Sequence, residues 1–154
     1  MKTKTYIIGI LIPLAIGALS ALLSGSMDIY QSITTPPLAP PGFLFPIVWT
    51  VLYVLMGISS VLVYNSEADA PTKKEALVTY ALQLVANFFW SILFFGQQAF
   101  LASFVLLVIL WLLILGMISS FTKINKTAGL LQIPYLLWVT FAGYLNLAIY
   151  FLNR

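Results

Sequence analysis

The sequence contains no cysteine and no histidine, and only 7% of its 154 residues are charged. Without cysteine there are no disulfides and no thiolate nucleophile; without histidine the commonest general base is gone. Together the two absences remove nearly all transition-metal sites. The four acidic residues, Asp28, Glu67, Asp69 and Glu75, fall in or beside connections between apolar stretches. No carboxylate, lysine or arginine lies inside such a stretch, so the marks of a proton relay, an ion-coupled transporter or a voltage sensor are missing. Neither a metal site nor a conventional catalytic site is expected, and no cofactor is required.

What is abundant is apolar. The chain is 62% hydrophobic with a mean hydropathy of +1.04, whereas soluble domains carry roughly 25% charged residues. This is the composition of an integral membrane protein. Five apolar segments, at about 6–25, 44–65, 76–96, 99–121 and 127–152, each approach the ~20 residues that cross a bilayer as a helix. The expected fold is an all-α membrane protein, a five-transmembrane-helix bundle forming one domain over 1–154. Residues 76–122 carry no charge at all, yet one helix of that length would be more than twice as long as the roughly 30 Å hydrocarbon core. "GQQ", residues 96–98, is the polar break and predicts a tight hairpin. The runs are continuous rather than alternating, which argues against a transmembrane β-barrel.

The N-terminal stretch combines Lys2 and Lys4, an apolar run and small residues, as a signal peptide does. Its apolar run is longer than the usual signal core and is read as the first span. Gly9, Gly17, Ala21 and Gly25 along it suit close helix packing in lipid. Five spans place the termini on opposite sides. Lys2, Lys4, Lys73, Lys74, Lys123 and Lys126 then collect on the N-terminal side, against Arg154 alone on the other. This bias predicts a multi-pass cell-membrane protein with a cytoplasmic N-terminus, an external C-terminus and an external loop at 26–43. The net charge of +3 is therefore a topology signal, and scattered lysine pairs give nucleic-acid binding no support.

Three spans each carry one face that mixes rings with neutral polar groups. On the second, Phe45, Trp49, Tyr53 and Met56 recur at helical spacing; on the third, Gln83, Asn87, Trp90 and Ser91; on the fifth, Tyr135, Trp138, Ala142 and Asn146. Such faces also serve as packing seams, with amides joining helices and Trp or Tyr forming interfacial belts. Trp90 fits either reading, and Trp111, inside "LLVILWLLIL", reads as lipid-facing. Trp49 and Trp138 lie well inside their spans among other rings, which points to a cavity for a flat, largely apolar ligand.

Five of the eight prolines, Pro36, Pro37, Pro40, Pro41 and Pro46, fall just before and into the second span. Residues 36–41 predict a polyproline-like strap ended by Gly42 as a turn residue, with Pro46 in the first helical turn. A stiff strap suits a lid that orders at little entropic cost; a plain spacer is the other reading.

"PPGFLFPIVWTVLYVLMG", "YALQLVANFFWSILFFG", "LLVILWLLI" and "PYLLWVTFAGYLN" resemble, in this order, the signature stretches of the TspO/translocator protein family, the tryptophan-rich sensory proteins or peripheral-type benzodiazepine receptors. The resemblance is to the bacterial-type members and covers nearly the whole chain. It implies a five-helix bundle that forms a homodimer in the lipid bilayer and binds porphyrins such as protoporphyrin IX as ligand. It also implies binding of synthetic benzodiazepine-site drugs and a link to light-dependent porphyrin breakdown. Carried over by position, the ligand would be walled by Phe45, Trp49, Tyr53, Gln83, Asn87, Trp90, Tyr135, Trp138, Ala142, Leu145 and Asn146, beneath a lid from Tyr30 to Phe43. Trp49 and Trp138 are the candidates for any photooxidative step, and the porphyrin carboxylates are expected at the mouth near Tyr30, Gln31, Ser32, Thr34 and Thr35.

Two positions depart from the family pattern. Phe43 stands where the family usually has tryptophan, which removes one indole from the lid. Leu147 stands where animal members have the tyrosine of a proposed cholesterol pattern; Leu147, Tyr150 and Arg154 satisfy a shifted version of that loose pattern, and sterol is not carried over. Three functions stay open: a tetrapyrrole receptor that promotes photooxidation, a porphyrin transporter, and a structural or partner-binding membrane protein. Missing intramembrane charge and the lack of an obvious internal repeat speak against the transporter.

Overall fold

A computed structural model describes residues 2–25, 30 and 32–154 of the chain, apart from the Lys2 side chain. Five helices in it are long and apolar enough to cross a membrane, and no strand occurs among the described residues. Helix α1 is Lys2–Ser24, α2 Leu44–Tyr64 and α3 Ala70–Ser91, which runs on into a π-helical turn, Ile92–Gly96. After the hairpin come α4, Phe100–Ile124, the short α5, Lys126–Leu130, and α6, Ile133–Asn153. The bundle is thus all-α, as its composition requires in a solvent that satisfies no backbone group.

Local chemistry sets the element ends. Gln97 N–H donates to the Ile92 carbonyl at 3.0 Å and Ala99 N–H to the Leu93 carbonyl at 2.9 Å, closing the hairpin predicted at 96–98. Helix α3 begins six residues before the expected 76. Asp69 caps it, accepting from Thr72 N–H at 3.2 Å and from the Thr72 hydroxyl at 2.8 Å, with a proline in the first turn. The charges of Lys73, Lys74 and Glu75 end the apolar run but not the helix. The fifth span is not the continuous helix expected over 127–152: Leu131 and Gln132 interrupt it, ahead of Pro134 in the first turn of α6, where its missing N–H costs nothing.

Helix α1 packs along α2 and more lightly on α3; α3 pairs with α4, and α4 with α6. The α1–α2 crossing is close because a Cβ on Gly57 would collide with the Ile10 backbone and the Gly9 carbonyl. Gly25 differs from the rest of the predicted small-residue stripe. Nothing lies within 4 Å of where its Cβ would be, and its φ of +82° makes it the residue that ends α1. Leu107, Leu110, Ile114, Met117 and Phe121 of α4 with Val139 and Ile149 of α6 form one side of the buried core, and Met56, Val63 and Leu84 belong to the other.

The proline segment is not a continuous extended strap. Ala39 N–H donates to the Pro36 carbonyl at 3.2 Å, and Leu38 between them has a φ of +71°. With Pro37 before it, this is the pattern of a type II turn, in which the third residue must take positive φ. Proline stiffness is therefore used to fold the segment back. The second turn, Leu44 N–H to the Pro41 carbonyl at 3.0 Å, contains Gly42 as expected.

Candidate functional site: an aromatic cavity beside a hydrogen-bonded seam

A cavity of about 450 Å³ opens between α1, α2 and α3. Across it, α1 presents Leu14, Gly17, Ala18 and Ala21, spaced i, i+3, i+4 and i+7 on one helical face. The facing wall is aromatic. Trp49 stacks on Tyr53 with centroids 5.6 Å apart and planes at 27°, and Trp90 lies 6.3 Å from Trp49. Phe45, Asn87, Ser91 and Phe95 complete much of the lining. The Tyr53 ring packs directly on Gly17, where an added Cβ would collide with it, and the gap lies beside that contact. At its C-terminal end α1 is tied to α3 by the Ser20 hydroxyl donating to the Phe88 carbonyl at 2.7 Å and by the Ser24 and Ser91 hydroxyls 3.0 Å apart.

Behind the rings, α2, α3 and α6 share one buried chain of hydrogen bonds. The Tyr53 hydroxyl donates to Asn87 Oδ1 at 3.1 Å, and Asn87 Nδ2 donates to the Tyr135 hydroxyl at 2.9 Å. Tyr135 in turn donates to Gln83 Oε1 at 2.6 Å, and Gln83 Nε2 lies 3.8 Å from the Met56 sulfur. A second group fixes Trp90: its Nε1 donates to Asn146 Oδ1 at 2.9 Å, which also accepts from the Ser103 hydroxyl at 3.0 Å, while Asn146 Nδ2 donates to the Phe100 carbonyl at 2.7 Å. The amides and hydroxyls of these two groups thus find partners, as burial in a low-dielectric interior demands.

The predicted residues therefore divide. Phe45, Trp49, Tyr53, Asn87 and Trp90 line the cavity. Gln83, Tyr135 and Asn146 belong to the seam behind it. Tyr30, Phe45, Trp90, Ala142 and Leu145 surround a void of only about 10 Å³. Trp138 is outside the cavity lining: Phe45 stands 5.8 Å from it in edge-on contact, and its buried Nε1 has no hydrogen-bond partner. The sequence reading took Gly17 and Ala21 as packing residues; Gly17 is one, lying against the Tyr53 ring, and what that reading missed is that both also line the cavity. The spacing of Leu14, Gly17, Ala18 and Ala21 was the available signal. Trp111, read as lipid-facing, donates its Nε1 to the Thr140 hydroxyl at 2.8 Å.

The loop is pinned to itself and to α6, and none of its described residues lines the cavity over which Tyr30 to Phe43 was expected as a lid. The buried Tyr30 hydroxyl, its pKa raised by burial, donates to the Pro40 carbonyl at 2.6 Å, and Tyr144 donates to the Pro37 carbonyl at 2.6 Å. Asn153 bridges both backbone groups of Thr34, at 2.9 and 2.8 Å. Tyr30 and Thr34 are thus engaged within the protein; Gln31 and Asp28 lie outside the described residues.

Comparison with known proteins places this arrangement. The profile of the TspO/MBR family matches residues 9–152. The tryptophan-rich protein TspO of Chlorobaculum tepidum is 40% identical over 124 residues, 80% of this chain and 78% of that one. The protein of the same name from Archaeoglobus fulgidus is 37% identical over 155 residues, 99% of each chain. The translocator protein of Ovis aries is 33% identical over 120 residues, 76% of this chain and 70% of its own. A five-helix membrane bundle with tryptophan-bearing faces on its second, third and fifth spans, matched from end to end, is a member of the TspO/MBR family.

Proposed function

We propose that the chain is a membrane receptor for tetrapyrroles, with protoporphyrin IX as the type ligand, and that the cavity between α1, α2 and α3 is where the ring is held. The observation that carries this reading is the geometry of the walls. The stacked Trp49 and Tyr53 rings, with Trp90 beside them, wall about 450 Å³ next to the small residues of α1, a space that suits a flat apolar body. The only polar side chains on its lining are neutral ones such as Asn87 and Ser91. Binding then rests on stacking and burial rather than on charge or metal ligation, so metal-free porphyrin binds at least as well as haem. Benzodiazepine-site drugs, also flat and apolar, compete for the same space.

Titration of the detergent-solubilised protein with protoporphyrin IX, in the dark and under illumination, tests this. Saturable quenching of porphyrin fluorescence is the expected result. No quenching would remove the receptor reading, and binding without bleaching would remove photooxidation. A much tighter haem complex with a strongly shifted Soret band would overturn binding without iron ligation. Orientation belongs to the same proposal: a reporter after Arg154 reads external and one within 67–75 cytoplasmic, and the reverse would turn the mouth to the other side.

A further inference from the structure

On the lysine-rich side, away from the aromatic cavity, two grooves meet. One, of about 370 Å³, runs between the start of α1, the end of α2 and the start of α3 and includes Ser60, Tyr64, Leu77 and Tyr80. The other, of about 530 Å³, lies on the α2–α3 connection and includes Lys73 and Lys74. Tyr64 and Leu77 line both, so an apolar trough leads from the bundle to a basic rim. Inside the trough, the buried Tyr80 hydroxyl forms no hydrogen bond of good geometry; its neighbour is the Ser60 hydroxyl, which donates to the Gly57 carbonyl at 2.8 Å and offers Tyr80 only a lone pair. A buried hydroxyl without a well-formed bond costs free energy, and an acceptor brought in beside Ser60 would complete it.

The two lysines are not equivalent. Lys73 Nζ donates to the carbonyls of Tyr64 at 3.0 Å and Ser66 at 2.8 Å, capping the end of α2. Lys74 is exposed and has no such bond. Glu67, Asp69 and Glu75 share this connection, but none of them lines either groove. Lys74 and Tyr80 stand six residues apart on α3, about 9 Å along the axis. That spacing sets a cation at headgroup depth and a hydroxyl donor at the top of the acyl chains.

We propose that this trough holds one anionic phospholipid of the adjoining leaflet, its phosphate at Lys74, an ester carbonyl accepting from Tyr80, and an acyl chain between α1 and α3. Charge complementarity at the rim and an apolar floor open to lipid fit an amphiphile, whereas a free phosphate would leave the floor unused.

The test uses the full-length protein in nanodiscs containing phosphatidylglycerol or phosphatidylcholine with a photoreactive acyl chain, and maps the labelled peptides. Phosphatidylglycerol should label residues 60–64 and 77–80 about fivefold more than phosphatidylcholine, the discrimination one lysine gives at an anionic interface. Lys74→Gln should abolish that ratio. Tyr80→Phe, an isosteric change, should lower labelling by both lipids alike. Equal labelling by the two lipids, or a ratio that survives K74Q, would overturn the proposal, as would labelling spread evenly onto the lipid face of α4. Millimolar glycerol phosphate should leave the labelling unchanged; its displacing the lipid would mean a phosphate site and no lipid site.

Discussion

The two flanks of α2 use similar aromatic material to opposite ends. Toward α6, rings and amides interlock: Trp49 meets Tyr135 at 6.1 Å, Phe45 meets Trp138 at 5.8 Å, and hydrogen bonds run from Tyr53 through Asn87 and Tyr135 to Gln83. Toward α1 the same helix meets glycine and alanine, no comparable network forms, and beside the close contacts of Tyr53 on Gly17 and of Gly57 on Ile10 about 450 Å³ stays open. The difference lies in the partner helix. Rings and amides opposite one another fill and bond a seam; small side chains let the backbones meet at a few points and leave space between them. One flank holds the bundle in register, and the other is free to accept a guest without breaking it.

Breaking the seam should have the largest effect. In Tyr135→Phe the hydroxyl that serves both Asn87 and Gln83 is lost, which leaves two buried amides short of a partner at about 1–3 kcal/mol each. Thermal unfolding in detergent should shift down clearly, and more than in Tyr53→Phe, which strands Asn87 Oδ1 alone. Equal shifts in the two variants would mean that Tyr135 is no junction.

Filling the hollow flank should do the converse. Ala18→Leu with Ala21→Leu places bulk where α1 faces the rings, and protoporphyrin affinity should drop roughly tenfold, about 1.4 kcal/mol. Stability should change by no more than about 0.5 kcal/mol, as for exposed positions outside a network. Unchanged affinity would move the ligand out of this cavity and into the α2–α6 seam.

The tryptophans sharpen the contrast further. Trp49 lines the cavity, whereas Trp138 stands behind Phe45. Trp49→Phe should cost about 1 kcal/mol of binding through lost area and steeply reduce porphyrin loss under fixed light and oxygen, since an indole is far easier to oxidise than a benzene ring. Trp138→Phe should leave bleaching nearly unchanged. Equal bleaching in both variants and the unaltered protein, at equal occupancy, would make the indoles walls only.

Much of this fold was legible in the sequence because lipid imposes few options. Continuous apolar runs become helices, and three ring-bearing faces at helical spacing converge. What was not legible depends on what lies across a gap. Trp49 and Trp138 look alike along the chain and are separated by Phe45 only in space. Gly17 and Ala21 read equally as packing or as a cavity wall until the facing side chains are known. The Leu38 turn was hidden because proline density signals stiffness without direction, and a leucine at positive φ is against local preference. The Leu131–Gln132 break interrupts an apolar segment without a charge to mark it, and the Gln132 amide there is buried with no partner.

The smallest effect concerns pH and again divides the connections from the flanks. Neither the seam nor the cavity contains a carboxylate, so acid should act on stability at the helix ends. At the start of α3 the hydroxyl and N–H of Thr72 donate to Asp69 and hold its carboxyl below the usual range. A carboxyl whose pKa is lower folded than unfolded stabilises when ionised. Its contribution is complete above the unfolded value of about 3.9 and fades as pH falls through the folded one. Asp69→Asn retains an N-cap acceptor but not the charge. The difference in unfolding temperature between the unaltered protein and D69N should therefore be small and constant from pH 5 to 8, begin to shrink near pH 4 and vanish only once the folded carboxyl is itself protonated. A difference that grows on acidification would show that Asp69 is stabilised in its protonated form, with its carboxylic O–H donating to the Thr72 hydroxyl.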